Sequence, residues 1–301
     1  VLRGAHDSFN ETVKKNSTLI RRRIRDPKLR FEKLTVGTAS QSDVVLAYIE
    51  GRADSGYVKL LRDKISSVKV DALTLGQQSL AECLVRRRWY DPFPKFRYTE
   101  RPDAAAAQIL EGYVVILCDT SPEAMILPTC LLDFMQETDD YYFPPLTGSY
   151  LRILRYIVFL MTLLVTPTWY LLITNPVWIP DWLAFIRVTS EYSLPIIAQL
   201  FLTEFALDGL KLASMNTPSS LSGTFGVVGG LILGDFAVQV GWFVPEVIVC
   251  MAFAAVANFS QSSYELGYAF KFLRMILLAL TWLLGLWGYV AGLVLIVVLA
   301  A

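Results

Sequence analysis

Histidine is almost missing from this chain: His6 is the only one in 301 residues. That excludes His-ligated zinc sites, HExxH metalloproteases and Ser-His-Asp triads. Cysteine is scarce as well. Cys83, Cys118, Cys130 and Cys250 form no CxxC pair, so a zinc ribbon or dithiol redox motif is not expected, and the four read as reduced core thiols. Net charge is absent, with 27 basic side chains against 27 acidic, which argues against nucleic acid as a partner. No Gly-rich segment leads into a GK[ST] phosphate loop. With no nucleophile, base and metal set in view, the chain is expected to be no enzyme and to need no cofactor and no metal. It starts at Val1 and stops inside an apolar run, so a longer natural protein is expected, truncated here at both ends.

What is present falls into two unlike halves. Only six of the Lys/Arg and seven of the Asp/Glu lie in residues 151–301. Apolar residues make up 54% of the chain and charged residues 18%, against roughly 45–50% and 25% in ordinary soluble domains. Residues 1–150 are expected to form a soluble cytoplasmic α/β domain. Residues 151–301 are expected to form an α-helical transmembrane domain of four to five membrane segments.

In the first half, Ser8 to Ile24 reads as an amphipathic helix ending before Pro27. Its Arg21–Arg23 run with Arg25 could meet anionic lipid or a partner, although such runs usually face water. Val44–Ile49, Tyr113–Cys118 and Glu123–Leu127 read as strands. Gly56–Ile65, Gln77–Arg87, Ala104–Leu110 and Thr129–Gln136 read as helices, the third capped by Asp103 after Pro102. Strands separated by helices suggest a mixed sheet.

In the second half, Tyr156–Pro180 and Met275–Ala301 are uncharged runs of 25 and 27 residues, each long enough to span a bilayer of about 20 apolar residues. Pro195–Met215, Leu221–Gly241 and Val244–Phe259 are weaker segments between them. Arg152 and Arg155 precede the first run, and Lys271 and Arg274 precede the last. Basic flanks mark the cytoplasmic side, so an even number of crossings is expected between them.

Ionisable groups inside membrane segments are costly, of the order of 3 kcal/mol each, and usually face a cavity, a pore or a partner. Asp235, Glu246, Glu204 and Asp208 are therefore the candidate pore or ion pathway. Glu204, Asp208 and Lys211 share one helix face, where Lys211 can offset the repulsion of the two carboxylates. Gly226, Gly230 and Gly234 recur every four residues, a ridge that lets helices pack closely. Tyr98, Thr99, Glu100, Arg101, Pro102 and Asp103 form a conspicuous polar turn in the soluble half. Such a turn could bind a ligand, or tie a loop to its own domain.

Several stretches together resemble a known family. They are Leu19–Arg25, Tyr48–Gly51, Tyr98–Asp103 (YTERPD), Glu111–Pro122, Val227–Gly234, Ala237–Gly241 and Ser263–Leu266. Their order and content are similar to the A-subunit family of bacterial spore germination receptors, the GerA family. Cys118–Pro122, Asn216–Pro218 and Gly241–Ile248 place the chain nearer a sporulation branch than the nutrient receptors. The resemblance implies a spore inner-membrane protein with its soluble domain toward the spore core. It implies a homo-oligomer in membrane lipid, a pentameric ring, that conducts monovalent cations beside other germination membrane proteins. An A subunit relaying a signal from a transporter-like B subunit, or a non-conducting scaffold, are the alternatives it leaves.

Overall fold

A computed structural model describes residues 5–85, 90–190, 192–216, 229–230, 234, 237–261 and 263–300. They divide into two compact units, residues 1–152 and 153–301.

The first unit is built on a five-stranded sheet. Its elements are α1 (Val13–Arg23), β1 (Leu29–Val36), β2 (Ser42–Ile49), α2 (Ser55–Ser66), α3 (Gln77–Leu84), β3 (Arg97–Thr99), α4 (Pro102–Leu110), β4 (Val114–Cys118) and β5 (Ala124–Leu127). The strand order is β1-β2-β4-β5-β3, and every neighbouring pair is antiparallel. The mixed sheet expected from the sequence is thus corrected to an antiparallel one. Both faces are covered. Leu46, Ile116 and Met125 pack under α2 and α3. Val45, Val115 and Ile126 pack under α1 and α4. A strand buried on both sides reads as a continuous apolar run, which is why β2, β4 and β5 are visible in the sequence.

β1 and β3 are not visible there. In β1, Leu29 belongs to one core and Val36 to the other, so its apolar residues change faces midway and no alternation results. β3 has only three residues. Thr129–Gln136, expected as a helix, is a single 3-10 turn at Leu131–Phe134. Two of the arginines ending α1 are held by their own unit. Arg21 lies 5.0 Å over the Phe31 ring and donates to Leu29 O at 3.0 Å, and Arg23 pairs with Asp7 at 2.5 Å. The thiols divide evenly: Cys118 and Cys250 are buried, but Cys83 and Cys130 are exposed rather than core.

The second unit is helical. α5 (Pro145–Thr174) begins in the first unit and carries Pro167 inside it. Then follow α6 (Ile196–Asn216), a short turn at Ala237–Gln239, α7 (Pro245–Phe259), α8 (Tyr264–Leu284) and α9 (Leu286–Ala300). α5 and α8 are long and apolar enough to cross a membrane; α7 and α9 are apolar but shorter. Among the described residues two helices reach that length, and most of the expected segment Leu221–Gly241 lies outside the described residues. The Met275–Ala301 run is not one span. It breaks at Gly285, whose φ of +59° suits glycine, and α9 folds back on α8.

That return depends on two further glycines. A Cβ on Gly288 would lie 1.9 Å from Leu280 O, and one on Gly292 would lie 2.5 Å from Leu277 Cδ1. At Gly288 the two helices meet backbone to backbone, and at Gly292 a Leu277 methyl takes the space a side chain would fill. Elsewhere in the unit Trp169, Leu200, Val247, Met251 and Leu278 share one apolar core from four helices. Gln199, fully buried, is satisfied on both sides: it donates to Leu194 O at 2.7 Å and accepts from Val244 N at 2.9 Å.

Candidate functional site

The sequence places Glu204 and Asp208 one helical turn apart on α6. Two carboxylates in an apolar helix need cations, and α8 brings them. Arg274 Nη2 donates to Glu204 Oε1 at 2.6 Å. Lys271 Nζ stands 3.5 Å from the same oxygen and pairs with Asp208. Arg274 also donates through Nη1 to the Thr162 carbonyl of α5 at 3.0 Å. Glu204, Lys271 and Arg274 are all buried, at 6%, 3% and 3% exposure. Two negative and two positive groups on α6 and α8 therefore cancel, and the donors reach a third helix. Paired this way, the charges escape much of the desolvation penalty that each would meet alone.

This arrangement corrects the sequence reading in one respect. Lys271 and Arg274 are not flanks outside the last span. They lie within α8, in its second and third turns, and are buried. Lys211, on the same helix as Asp208, has its ammonium 4.5 Å from the ring centres of both Tyr264 and Tyr268, a cation–π seat. A single sequence shows which residues share a helix face but not which second helix faces them, so the α8 partners were not legible.

Glu246 stands apart from this cluster in the first turn of α7, where the helix dipole favours a carboxylate. Its Oε2 is buried without a hydrogen-bond partner among the described residues. Asp235 and Gly226 lie outside the described residues. At Gly230 and Gly234 a Cβ would meet nothing within 4 Å among the described residues, so no close helix approach is seen there within the chain. Gly229 instead lies against Leu210, whose Cδ2 would be 2.2 Å from a Cβ. In the same unit, Asn258 Oδ1 and Gln261 Oε1 are buried without a hydrogen-bond partner among the described residues. Both converge on Gly267, at 3.1 and 2.8 Å from where its Cβ would be.

In the first unit the Tyr98–Asp103 turn is committed to its own domain. Tyr98 Oη donates to Gln78 Oε1 at 3.1 Å, and Glu100 O accepts from Phe9 N at 2.8 Å. Thr99 Oγ1 accepts from Arg101 N at 3.2 Å, and Pro102 opens α4. Arg101 makes a fork on Asp103, Nε to Oδ1 at 3.1 Å and Nη2 to Oδ2 at 2.8 Å. Burial alone would raise the Asp103 carboxyl. The Arg101 fork, the Tyr142 hydroxyl and the Ala104 amide outweigh it and hold the group down at about 2. The Arg101 guanidinium is pushed up in turn, chiefly by its hydrogen bonds to Asp103. No group of three or more metal-ligating side chains occurs among the described residues.

Comparison with known proteins gives this arrangement a context. The family model for the Bacillus/Clostridium GerA spore germination protein matches residues 1–301. The chain is 39% identical to stage V sporulation protein AF of Bacillus subtilis (strain 168), over 100% of this chain and 61% of that protein. It is 31% identical to spore germination protein GerLA of Bacillus cereus, over 98% of this chain and 60% of that protein. It is 28% identical to spore germination protein KA of B. subtilis, over 98% and 55%. The chain thus spans about 60% of the length of such relatives. Among solved structures, it matches the N-terminal domain of the A subunit of the Bacillus megaterium spore germinant receptor GerK3. That match has 32% identity and a TM-score of 0.34, and covers 42% of this chain and 98% of that one.

Proposed function

Because this chain belongs to the Bacillus/Clostridium GerA family of spore germination proteins, we propose that it is a membrane subunit of spore germination that assembles with copies of itself and passes monovalent cations. The observation that supports this reading is the charge set of buried Glu204, Lys271 and Arg274 with half-buried Asp208 on α6 and α8. Ionisable groups held at such cost inside apolar helices mark ion routes more often than scaffolding. In the arrangement described, both carboxylates are occupied by cations of the same chain. A conducting arrangement would part α6 from α8, leaving Glu204 and Asp208 to favour cations over anions. Asp235 and Glu246 are the further carboxylates of the pathway, and the Gly226, Gly230 and Gly234 ridge packs one copy against the next. The protein would reside in the spore inner membrane, its first unit facing the spore core, among other germination membrane proteins.

Pairing within one chain also supports a second reading. In it the chain relays a signal from a transporter-like B subunit, or clusters partners without conducting. Ion flux into liposomes carrying the full-length protein separates them. Under the first reading Asp208→Asn and Asp235→Asn reduce cation-over-anion preference. An unchanged flux and preference with Asp235→Asn and Glu204→Gln combined, or no flux from a folded oligomer, would sink it.

A further inference from the structure

The polar turn at Tyr98–Asp103 takes no part in the charged cluster of the helical unit, and its geometry points elsewhere. Arg101 has three arms. Two grip Asp103, and the third, Nη1, pairs with Asp139. Asp139 belongs to the 3-10 turn Thr138–Tyr142, which ends three residues before α5 starts at Pro145. The same turn is held again by Tyr142, whose hydroxyl donates to Asp103 Oδ2 at 2.7 Å and whose ring lies 5.7 Å from the guanidinium. Arg101, Asp103 and Asp139 are only 17%, 14% and 20% exposed, so water screens the Arg101 pairs weakly, while Tyr142 closes the cluster from its exposed side.

The turn in turn grips the first two turns of α5. A Cβ on Gly148 would stand 2.4 Å from the Asp140 carbonyl, so α5 and the turn meet backbone to backbone. The Arg152 guanidinium sits 4.6 Å above the Tyr141 ring. On its other side the cluster is tied to the sheet. β3 pairs with β5 through Thr99 and Ala124, and Asp103 Oδ1 accepts from the Ala104 amide at the start of α4. A continuous path of hydrogen bonds and packed groups therefore runs from β5 through β3, Arg101 and Tyr142 to the root of α5.

We propose that Arg101, Asp103, Asp139 and Tyr142 form a strap that anchors the root of α5 to the sheet, so that the soluble unit fixes where its first long apolar helix begins. A pair of charge-assisted contacts across the strap makes it a two-position element: intact it holds α5, and released it frees residues 138–152 while the sheet stays folded. This does not depend on ion conduction.

Hydrogen exchange of the full chain in lipid nanodiscs tests it. Asp139→Asn and Tyr142→Phe each remove one tie and leave the sheet contacts in place. Gly148→Ala pushes α5 off the turn from the opposite side. Each should speed exchange in residues 138–152 by roughly tenfold or more, while residues 114–118 and 124–127 keep their protection. Arg101→Lys, which keeps the charge and loses the fork, should give the same local pattern. Unchanged exchange at 138–152 in all four variants would overturn the proposal. So would equal acceleration in the sheet, which would make the cluster a general stabiliser of the unit.

Discussion

Arg274 and Glu204 lie seventy positions apart and meet at 2.6 Å, each side chain less than a tenth exposed. Each also has a weaker second partner, Lys271 at 3.5 Å from Glu204 and the Thr162 carbonyl at 3.0 Å from Arg274. The energetic lesson of a buried pair is asymmetric: the intact pair adds little over well-packed apolar groups, but a single survivor is heavily penalised. Arg274→Met should therefore destabilise the helical unit by about 3–5 kcal/mol. The double variant Arg274→Met with Glu204→Gln should recover much of that loss. Denaturant unfolding in detergent measures both. A single variant as stable as the parent would mean that water or Lys271, 3.5 Å from the same Glu204 oxygen, takes over the role of Arg274.

The fold-back of α9 on α8 rests on a different kind of contact. A Cβ at Gly288 would press on the Leu280 carbonyl, which is backbone and cannot move aside, whereas one at Gly292 would press on a flexible Leu277 methyl. Gly288→Ala should therefore cost about 1–3 kcal/mol or more, as overpacking does, and Gly292→Ala clearly less. By contrast, Gly230→Ala and Gly234→Ala should change unfolding by no more than about 0.5 kcal/mol. If the ridge packs copies together, those two variants weaken assembly instead, which native mass spectrometry would register. Equal costs at Gly288 and Gly292 would contradict the close approach.

Much of this was legible in the sequence, for definable reasons. β4 and β5 are buried on both faces, so their apolar runs announce them. α4 is announced by Pro102 at its first position, although Asp103, expected as its cap, lies inside the first turn and Arg101 holds the N-cap position. The rest depends on contacts between distant segments. β1 splits its apolar residues between two cores. Met275–Ala301 looks like one long span because Gly285, Gly288 and Gly292 add no charge to warn of a reversal. Glu204 and Asp208 were identifiable as costly residues, but their partners Lys271 and Arg274 look from sequence like ordinary basic flanks. The YTERPD turn was conspicuous, and its hold on α5 was hidden because Asp139 lies 38 residues from Arg101.

Cysteine chemistry offers an independent check on burial. Burial pushes the Cys118 thiol up to about 12, so almost none of it is thiolate at pH 8, and thiolate is the reactive form. Cys83 and Cys130 are exposed. A maleimide added to the native protein at pH 8 should label those two within minutes and leave Cys118 and Cys250 unlabelled until denaturant is added. Peptide mapping reads the result. Rapid native labelling of Cys118 would place β4 at the surface rather than in the middle of the sheet.

The carboxyl of Asp103 ties stability to pH in a predictable direction. Folding lowers its pKa to about 2, from an unfolded value near 3.9. The unfolded chain therefore binds the proton first as pH falls. The stabilisation is fully present above about pH 4 and is lost progressively as pH drops toward about 2. Asp103→Asn removes the titrating group and the fork together. The variant should be less stable than the parent at neutral pH, and the gap between the two should narrow as pH falls from about 4 to about 2. Urea unfolding of the full chain in detergent across that range measures the gap. A constant difference would mean that Asp103 titrates normally and that its hydrogen bonds to Arg101 and Tyr142 are not maintained in solution.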